Sequence, residues 1–464
     1  MIADLKPYAE YRASGSPWLG NIPVHWKLPR LGSVLCERKE TNEKRQIEQV
    51  LSVMKRIGVI RYEDKGNIGN KKSEDTGRYK IVRPDDIVVN CMNVIIGSVG
   101  RSQYTGCLSP VYYVLTRRDE TNNPRYMAAV FATKSFHESL VRIGNGILAH
   151  RMRIPMELLK CEPFPVPPPV EQDSIVRFLS WANGRLDRAI RAKRKVITLL
   201  NEQKQAIIHR AVTRGLDPAV PLKLSGIPWL GDIPHHWDVL RAKYIYREMN
   251  ERSTTGNEEL LSVSHITGVT PRSQKSVTMF KAASYVGHKL CRPGDLAVNT
   301  MWAWMGALGV STYEGIISPG YAVYRPIHPD RIIGQYMDGL LRSRPYISNI
   351  ICRSTGLRAS RLRLYPEDFF RLPIVLPPTE EQCQIVRSIE SQTAGQDANI
   401  SRLEREISLL KEYSTRLVAD VVTGKLDVRE AAAKLPVEEQ TIEPEELVED
   451  DSEMVEDEIT EPVG

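Results

Sequence analysis

"PWLGNIPVHW", Pro17 to Trp26, returns almost unchanged as "PWLGDIPHHW", Pro228 to Trp237. Residues that serve a single active site have no reason to recur 211 positions later, whereas a duplicated unit does. Between Ser14–Arg30 and Ser225–Arg241, 11 of 17 positions are identical. The correspondence then runs on. "LSVMKRIGV" at Leu51 answers "LSVSHITGV" at Leu261, and "RPDDIVVNCMNVIIGSVG" at Arg83 answers "RPGDLAVNTMWAWMGALG" at Arg292. "VPPPVEQDSIVR" at Val166 answers "LPPTEEQCQIVR" at Leu376, and "VTRGLD" at Val212 answers "VTGKLD" at Val422. The offset stays between 209 and 211 throughout, so the chain is an internal duplication. Two copies are too few for a solenoid and predict a pseudo-symmetric molecule of two lobes.

Each copy has the same plan. Its first part carries short apolar runs such as "DIVVN" and "DLAVN" between Gly, Pro, Asp and Asn, which reads as strands and turns. Its last part is a long helix opened by a proline run. In the second copy Ile400, Leu403, Ile407, Leu410, Leu417 and Val421 follow a 3,4,3 spacing that only Ser414 interrupts. The same register in the first copy reads Ile190, Lys193, Ile197, Leu200, Lys204, Ile207 and Ala211. Alternating steps of three and four make a pairing seam; the alternative is an amphipathic helix lying on its own domain. Charge favours pairing of the two different helices. Positions 171–214 hold ten basic and four acidic residues, and 381–424 hold five and seven. Lys193 and Lys204 are costly in a self-pair and easier to place against the acidic helix. The expected fold is α+β: two pseudo-symmetric mixed α/β domains joined by two long helices in a coiled coil, which is antiparallel if a local two-fold axis relates the copies.

The 464 residues suffice for two or three domains. The opening "MIADLKPYAEYRAS" has no apolar run, which argues against a signal peptide or anchor. Seven scattered cysteines, none within four residues of another, argue against common zinc sites and for reduced thiols in a cytoplasm. After Lys434 there is no Lys or Arg, while 13 acids crowd the remaining residues. Positions 1–434 hold 63 basic against 44 acidic residues, a formal +19 that favours a polyanionic partner. The tail reads as disordered and solubilising.

Catalytic patterns are missing. There is no phosphate loop, no G-x-G-x-x-G, no H-E-x-x-H and no G-x-S-x-G. "NPRY" at Asn123 resembles the Asn-Pro-Pro-aromatic turn of adenine methyltransferases, but Arg125 replaces the second proline and no Gly-rich nucleoside loop precedes it. Asp86 and Asp295 stand in a turn before a strand, and no E-x-K follows at the distance a metal-dependent nuclease uses. Trp18, Trp26, Trp229 and Trp237 could stack on bases. Yet both copies keep them, whereas residues that read different targets should differ, so they are expected to anchor each globular unit onto the helices.

The ordered set "SGIPWLGDIPHHW", "LSVSHITGV", "RPGDLAVNTMWAWMGALGVS", "ISPGYAVYRP" and "LPPTEEQCQIVRSI", present twice over nearly all of residues 14–430, resembles the specificity subunit of type I restriction–modification enzymes. The first copy departs most: "NCMNVIIG" replaces "NTMWAWMG", and Asp85 replaces the Gly before Asp86. The resemblance implies a target-recognition domain over 1–170, a central spacer helix over 171–214 and a linker over 215–224. It further implies a second recognition domain over 225–380, a distal helix over 381–424 and an acidic tail over 425–464. Each domain would read one half of a split, asymmetric sequence in double-stranded DNA. The helices would set the gap and dock two modification (methyltransferase) subunits that bind S-adenosylmethionine and methylate adenine at N6. Restriction subunits would add translocation and cleavage with ATP and Mg. This chain, in a prokaryotic cytoplasm and off the membrane, would be non-catalytic and carry no cofactor. The alternatives are a stand-alone DNA-binding scaffold or regulator of the same fold, and a metal-dependent nuclease.

Candidate DNA contacts follow from comparing the copies. Residues 61–80 and 270–289, then 144–153 and 354–363, diverge inside the shared frame. Arg151 and Arg361, like Arg153 and Arg363, are shared and suit phosphate contacts. Divergent Lys71, Lys72, Arg272, Lys275 and Arg358 suit base edges. Arg78, Asn93 and Trp302 complete the set.

Overall fold

The computed structural model describes residues 5–55, 57–66, 72–73, 75–146, 152–274, 284–356 and 362–436. Lys71, Arg151, Lys275, Arg358 and Arg361 lie outside the described residues. The chain divides into two compact units, Met1–Lys193 with Arg405–Leu447, and Arg194–Glu404 with Val448–Gly464.

The apolar run Ile87–Val89 serves two cores at once, because successive side chains of a strand point to opposite faces. Ile87 and Val89 enter the main core of the first unit, and Val88 enters a smaller one with Leu51, Val53, Val59, Val82, Leu108 and Val114. In the second unit Leu296 and Val298 face one core and Ala297 the other. A strand covered on both faces reads as a continuous apolar run.

That strand sits inside a four-stranded antiparallel sheet. In the first unit the order is Leu35–Glu37, Tyr112–Arg117, Ile87–Asn90, Val99–Arg101. In the second it is Tyr246–Met249, Ala322–Pro326, Leu296–Val298, Leu308–Val310. A hairpin (Leu51–Met54 with Gly58–Arg61; Leu261–Ser264 with Gly268–Pro271) accompanies each sheet, as does a further pair (Lys80–Val82 with Gly106–Leu108; Lys289–Cys291 with Gly315–Ile317). The duplication read from the sequence is thus a duplication of topology.

The long helices run Pro169–Arg214 and Thr379–Val422, each starting two residues before the expected position. Within the first unit Asn183 Oδ1 accepts from Ser414 Oγ at 3.1 Å, and Lys193 Nζ meets Glu406 Oε2 at 2.5 Å. One number rises as the other falls, so the pairing is antiparallel. Ser414, the interruption in the apolar series, is half-buried and hydrogen-bonded across the seam, a device that fixes register. Within the second unit Lys204 pairs with Asp397. Both seam lysines therefore find carboxylates on the acidic helix. Ile190, Ile407, Leu417 and Val421 are buried, and Ile197, Leu200, Ile207, Ile400, Leu403 and Leu410 half-buried, while Leu199 and Leu409 beside them are 55% and 64% exposed.

The repeated tryptophan segment joins each domain to the helices. Glu171, in the first turn of the central helix and 4% exposed, accepts from Tyr8 Oη at 2.7 Å and Trp26 Nε1 at 2.8 Å. Its other oxygen lies 2.8 Å from His25 Nε2. Burial first, then the bond to Glu171, pushes the Tyr8 phenol well up, so it stays a donor. Trp26 also closes on the end of the distal helix. Gly424 has φ +78°, and a Cβ there would lie 2.5 Å from Pro23 and 3.1 Å from the Trp26 ring. The Tyr126 hydroxyl donates to Val422 O in that same turn, at 3.2 Å. The second unit repeats the joint on the central helix: Gly215, φ +74°, lies against Trp237, and the Tyr336 hydroxyl donates to Val212 O at 3.2 Å. Trp18 and Trp229 pack edge-on against Phe136 and Tyr346. All four tryptophans are structural.

Two boundaries differ from expectation. Residues 425–436 are not tail: Val428, Ala431, Ala432 and Leu435 are buried, the first three of them in the core of the first unit, and Arg429–Ala433 is helical. The stretch 215–224 is not all linker, since Leu222–Leu224 pairs with Asp232–Pro234 as Tyr11–Ala13 pairs with Asn21–Pro23.

The two joints predict unequal costs. Among the described residues Glu381 has only His236 Nε2, at 2.7 Å, and Ala219 stands where the first copy has Tyr8. Glu171→Ala leaves three donors unpaired and should cost about 3 kcal/mol, against about 1 kcal/mol for Glu381→Ala. Urea unfolding of both variants measures the difference, and equal costs would contradict the assignment.

Candidate nucleic-acid interface

Four of the described candidates, Asn93, Arg153, Trp302 and Arg363, gather around one turn in each unit. After strand Ile87–Asn90 the chain makes a 3-10 turn, Val94–Ile96, closed by Gly97 at φ +92°. After Leu296–Val298 it makes the same turn, Ala303–Met305, closed by Gly306 at φ +92°. Asn93 and Trp302 hold the same position before those turns, with φ −127° and −124°. The backbone is shared and the side chain is exchanged. Trp302 is half-buried and stacks on Trp304 with ring centroids 5.9 Å apart and planes 18° apart.

The shared arginines come up beside this turn. Ile154 N donates to Cys91 O at 2.9 Å, and Leu364 N to Thr300 O at 2.9 Å. These bonds carry the preceding residues, Arg153 and Arg363, to the turn as exposed side chains. The Arg363 guanidinium lies 5.4 Å from the centre of the exposed Tyr365 ring. A lysine that sequence comparison passed over, Lys80 or Lys289, completes each cluster. Lys80 Nζ bonds Glu37 at 3.0 Å and lies 5.5 Å from the centre of the Tyr113 ring. Burial depresses the Lys289 ammonium, Glu248 opposes that, and Arg252 and Arg363 add to it. The identity of Lys80 and Lys289 at the repeat offset was the available signal; their position late in the divergent loops hid it. Cation, aromatic face and amide or indole at one turn form a surface able to hold phosphate and to touch base edges or faces.

The remaining candidates sit apart from the turn in the chain. Exposed Lys72 is held by its backbone N–H, which donates to Tyr62 Oη at 3.0 Å, and its ammonium lies 5.8 Å from that ring. Lys65 lies 4.3 Å from the same ring. Arg78 is exposed. In the second unit half-buried Arg272 opens a 3-10 turn at the position of Tyr62. Tyr62 and Lys65 were not singled out from sequence.

The carboxylates considered for a metal-dependent nuclease are already committed. Asp86, 2% exposed, accepts Arg38 Nε and Nη2, both at 3.0 Å, and Arg83 N at 2.8 Å. Asp295, 1% exposed, accepts Arg325 Nε at 2.7 Å and Nη2 at 2.8 Å, and Arg292 N at 2.9 Å. The guanidinium reaches the same acid from different strands: Arg38 lies just beyond the edge strand and Arg325 on its neighbour. Thr116 faces Cys36 in the register in which Arg325 faces Arg247, and Arg38 Nη2 also approaches Thr116 at 3.4 Å. Among the described residues no group of three His, Cys, Asp or Glu side chains converges to hold a metal. "NPRY" is equally structural. Asn123 caps a helix over Pro124–Phe131, and Tyr126 is buried.

No protein-family model matches the sequence, and no curated protein matches it. Solved structures do. A chain from a type I R-M system, studied for its complex assembly and conformational transition, superposes with a TM-score of 0.56 over 87% of this chain and 99% of its own, at 15% identity. The HsdS subunit from Thermoanaerobacter tengcongensis aligns over 87% of this chain and 98% of its own, at 16% identity and TM-score 0.40. The S subunit of the type I restriction–modification system from M. genitalium aligns over 90% and 99%, at 13% identity and TM-score 0.33. At these identities what the chain shares is the fold: two mixed α/β domains with paired long helices. No helix among the described residues is long and apolar enough to cross a membrane.

If Asp295 is a structural counter-ion, Asp295→Ala leaves the Arg325 guanidinium with Glu251 alone, at 3.2 Å, and should cost about 3 kcal/mol. Removing Arg325 as well, in Asp295→Ala with Arg325→Met, should recover most of it. Denaturant unfolding with and without Mg2+ checks both points. A cost that appears only in Mg2+ would mean a metal ligand instead.

Proposed function

We propose that this chain is the DNA sequence-recognition subunit of a type I restriction–modification complex. Each unit reads one half of a bipartite, asymmetric site in double-stranded DNA. The long helices set the gap between the halves and dock two modification subunits. Those subunits bind S-adenosylmethionine and methylate adenine at N6, and restriction subunits translocate and cleave with ATP and Mg. This chain catalyses neither step and takes no cofactor; it works in a prokaryotic cytoplasm.

The observation that carries the reading is the pairing of an unchanged frame with changed side chains. Two units of one topology place Asn93 and Trp302 at one backbone position, and Tyr62 and Arg272 at another, while Arg153 and Arg363 stay. Contacts that position a protein on phosphate can be common to both halves, whereas contacts that read different bases cannot. The fold shared with a chain of a type I R-M assembly supports the same conclusion.

Exchanging residues 36–165 for the equivalent stretch of another such protein should change one half of the methylated motif and leave the other intact. Methylome sequencing of cells that also hold the modification partner reads this out, and a change in both halves would refute independent reading. Four residues inserted after Leu200 add about one helical turn, ~6 Å, and nearly preserve the seam. With 3.4 Å per base pair, the unread gap should widen by one or two base pairs. Two residues inserted there turn the seam by about 200° and should abolish modification. An unchanged gap with retained modification would show that the helices do not set the spacing.

A further inference from the structure

At the turn that carries Asn93 and Trp302 the two copies differ in one consistent way: the second has gained aromatic rings. Trp302 stands against Asn93, Trp304 against Ile95 and, on the neighbouring segment, Tyr365 against Pro155. The backbone beneath them is unchanged. Trp302 N donates to Asn299 O at 3.0 Å, and Trp302 O accepts from Met305 N at 3.0 Å and Ala307 N at 3.1 Å. Asn93 makes the same three bonds with Asn90, Ile96 and Ser98, at 3.0, 3.2 and 3.1 Å. The frame therefore forms without the rings, and the rings stay partly in water. Trp302 and Trp304 are half-buried, while Met301 and Tyr365 are 39% and 44% exposed.

The rings are held in place. Trp304 Nε1 donates to Met301 O at 2.9 Å, and Trp302 lies along Trp304 with the planes 18° apart. The indole pair is thus a fixed apolar surface, and Trp304 has used its donor inside the turn. Beside it Leu364 is buried, and Arg363 and Tyr365 on either side of it are exposed, the guanidinium over the ring. An arginine there suits phosphate and sets the indoles against the groove. In an intact duplex stacking covers the base faces, so a side chain in the groove meets edges. The major-groove edges offer donors, acceptors and one apolar group, the thymine C5 methyl. A donor or acceptor pressed on the indole pair loses its water and gains no bond, which is unfavourable. The methyl gains by leaving water.

We propose that the second unit reads a thymine methyl in the major groove with the Trp302–Trp304 pair, at the position where the first unit presents Asn93. This rests on the recognition role proposed above and narrows it to one group on one base.

The probes are synthetic duplexes carrying the bipartite motif found by methylome sequencing, bound by the full chain purified with the partner subunits it holds. The second unit's half is the one left intact when residues 36–165 are exchanged. In that half each thymine is replaced in turn by deoxyuridine, which removes the methyl and keeps the base pairing. At one position the change should weaken binding roughly fourfold, the effect of one buried carbon group. Trp302→Asn, which puts the first copy's residue on the same frame, should weaken binding to the thymine duplex by that factor and abolish the difference between thymine and deoxyuridine. Arg363→Met should weaken binding to both duplexes alike. Circular dichroism checks the fold of each variant, and if Trp302→Asn does not fold, the deoxyuridine scan of the unaltered chain decides. Sequence-specific binding with no deoxyuridine effect in that half, or an effect that Trp302→Asn leaves in place, would overturn this proposal alone. Absence of any sequence-specific binding would remove the recognition role and this proposal with it.

Discussion

The Glu171 carboxylate is the point through which the first unit is assembled. It is buried, and it takes donors from Tyr8, His25 and Trp26, which lie about 150 positions away along the chain. A charge out of water persists only when hydrogen bonds replace its hydration. The three donors therefore fix where the N-terminal segment must lie relative to the first turn of the central helix. The neighbouring Gln172, fully buried, repeats the device by bonding Asn122, Asn123 and Pro167. Gln382 does the same with Arg331, Ile333 and Pro377 in the second unit. The Glu-Gln pair after each proline run is thus the socket, and the repeated tryptophan segment is what enters it.

From that joint the order of the chain becomes intelligible. Trp26 closes on the end of the distal helix, and Trp237 on the end of the central helix. Each unit is therefore built from the end of one long helix, a globular stretch and the beginning of the other. The first unit reaches to the far end of the chain for its helix end: Leu417, Val421, Val422 and Val428 are in its core. In this sense the last residues of the folded chain precede the first ones, and the duplication closes on itself. The copies are not equally finished. Trp26 Nε1 has Glu171, while Trp237 Nε1 is buried without a partner among the described residues.

What was legible in the sequence was whatever repeats or recurs with a period. The offset of 209–211 exposed the duplication, and the seam spacing with its opposed charges exposed the pairing of the two long helices, down to acidic partners for Lys193 and Lys204. The two-sided burial of the sheet was half visible in "DIVVN". What stayed hidden depends on partners that no spacing links. Asp86 and Asp295 resembled free carboxylates because their arginines stand on different strands in the two copies. A residue-by-residue comparison sets Arg38 against Met249 and Thr116 against Arg325 and so sees no common pair. The ordered stretch 425–436 was hidden for a related reason: its apolar residues are few, and only the core of a unit that begins 400 residues earlier gives them something to bury against.

The interface was the least legible part, and its geometry explains why. A frame that carries different side chains in its two copies has to hold the backbone by contacts that do not involve them. The turn after the second sheet strand does so: a left-handed glycine at its end and a backbone bond from Ile154 or Leu364 at its start fix the path. Neither constraint involves the side chain at the position between them. Asparagine and tryptophan then occupy one site without cost to the fold. Arg153 and Arg363, placed by those same backbone bonds, are free of that exchange and remain. Constancy between the two copies marks what holds the frame, and variation inside it falls on side chains that the frame does not use.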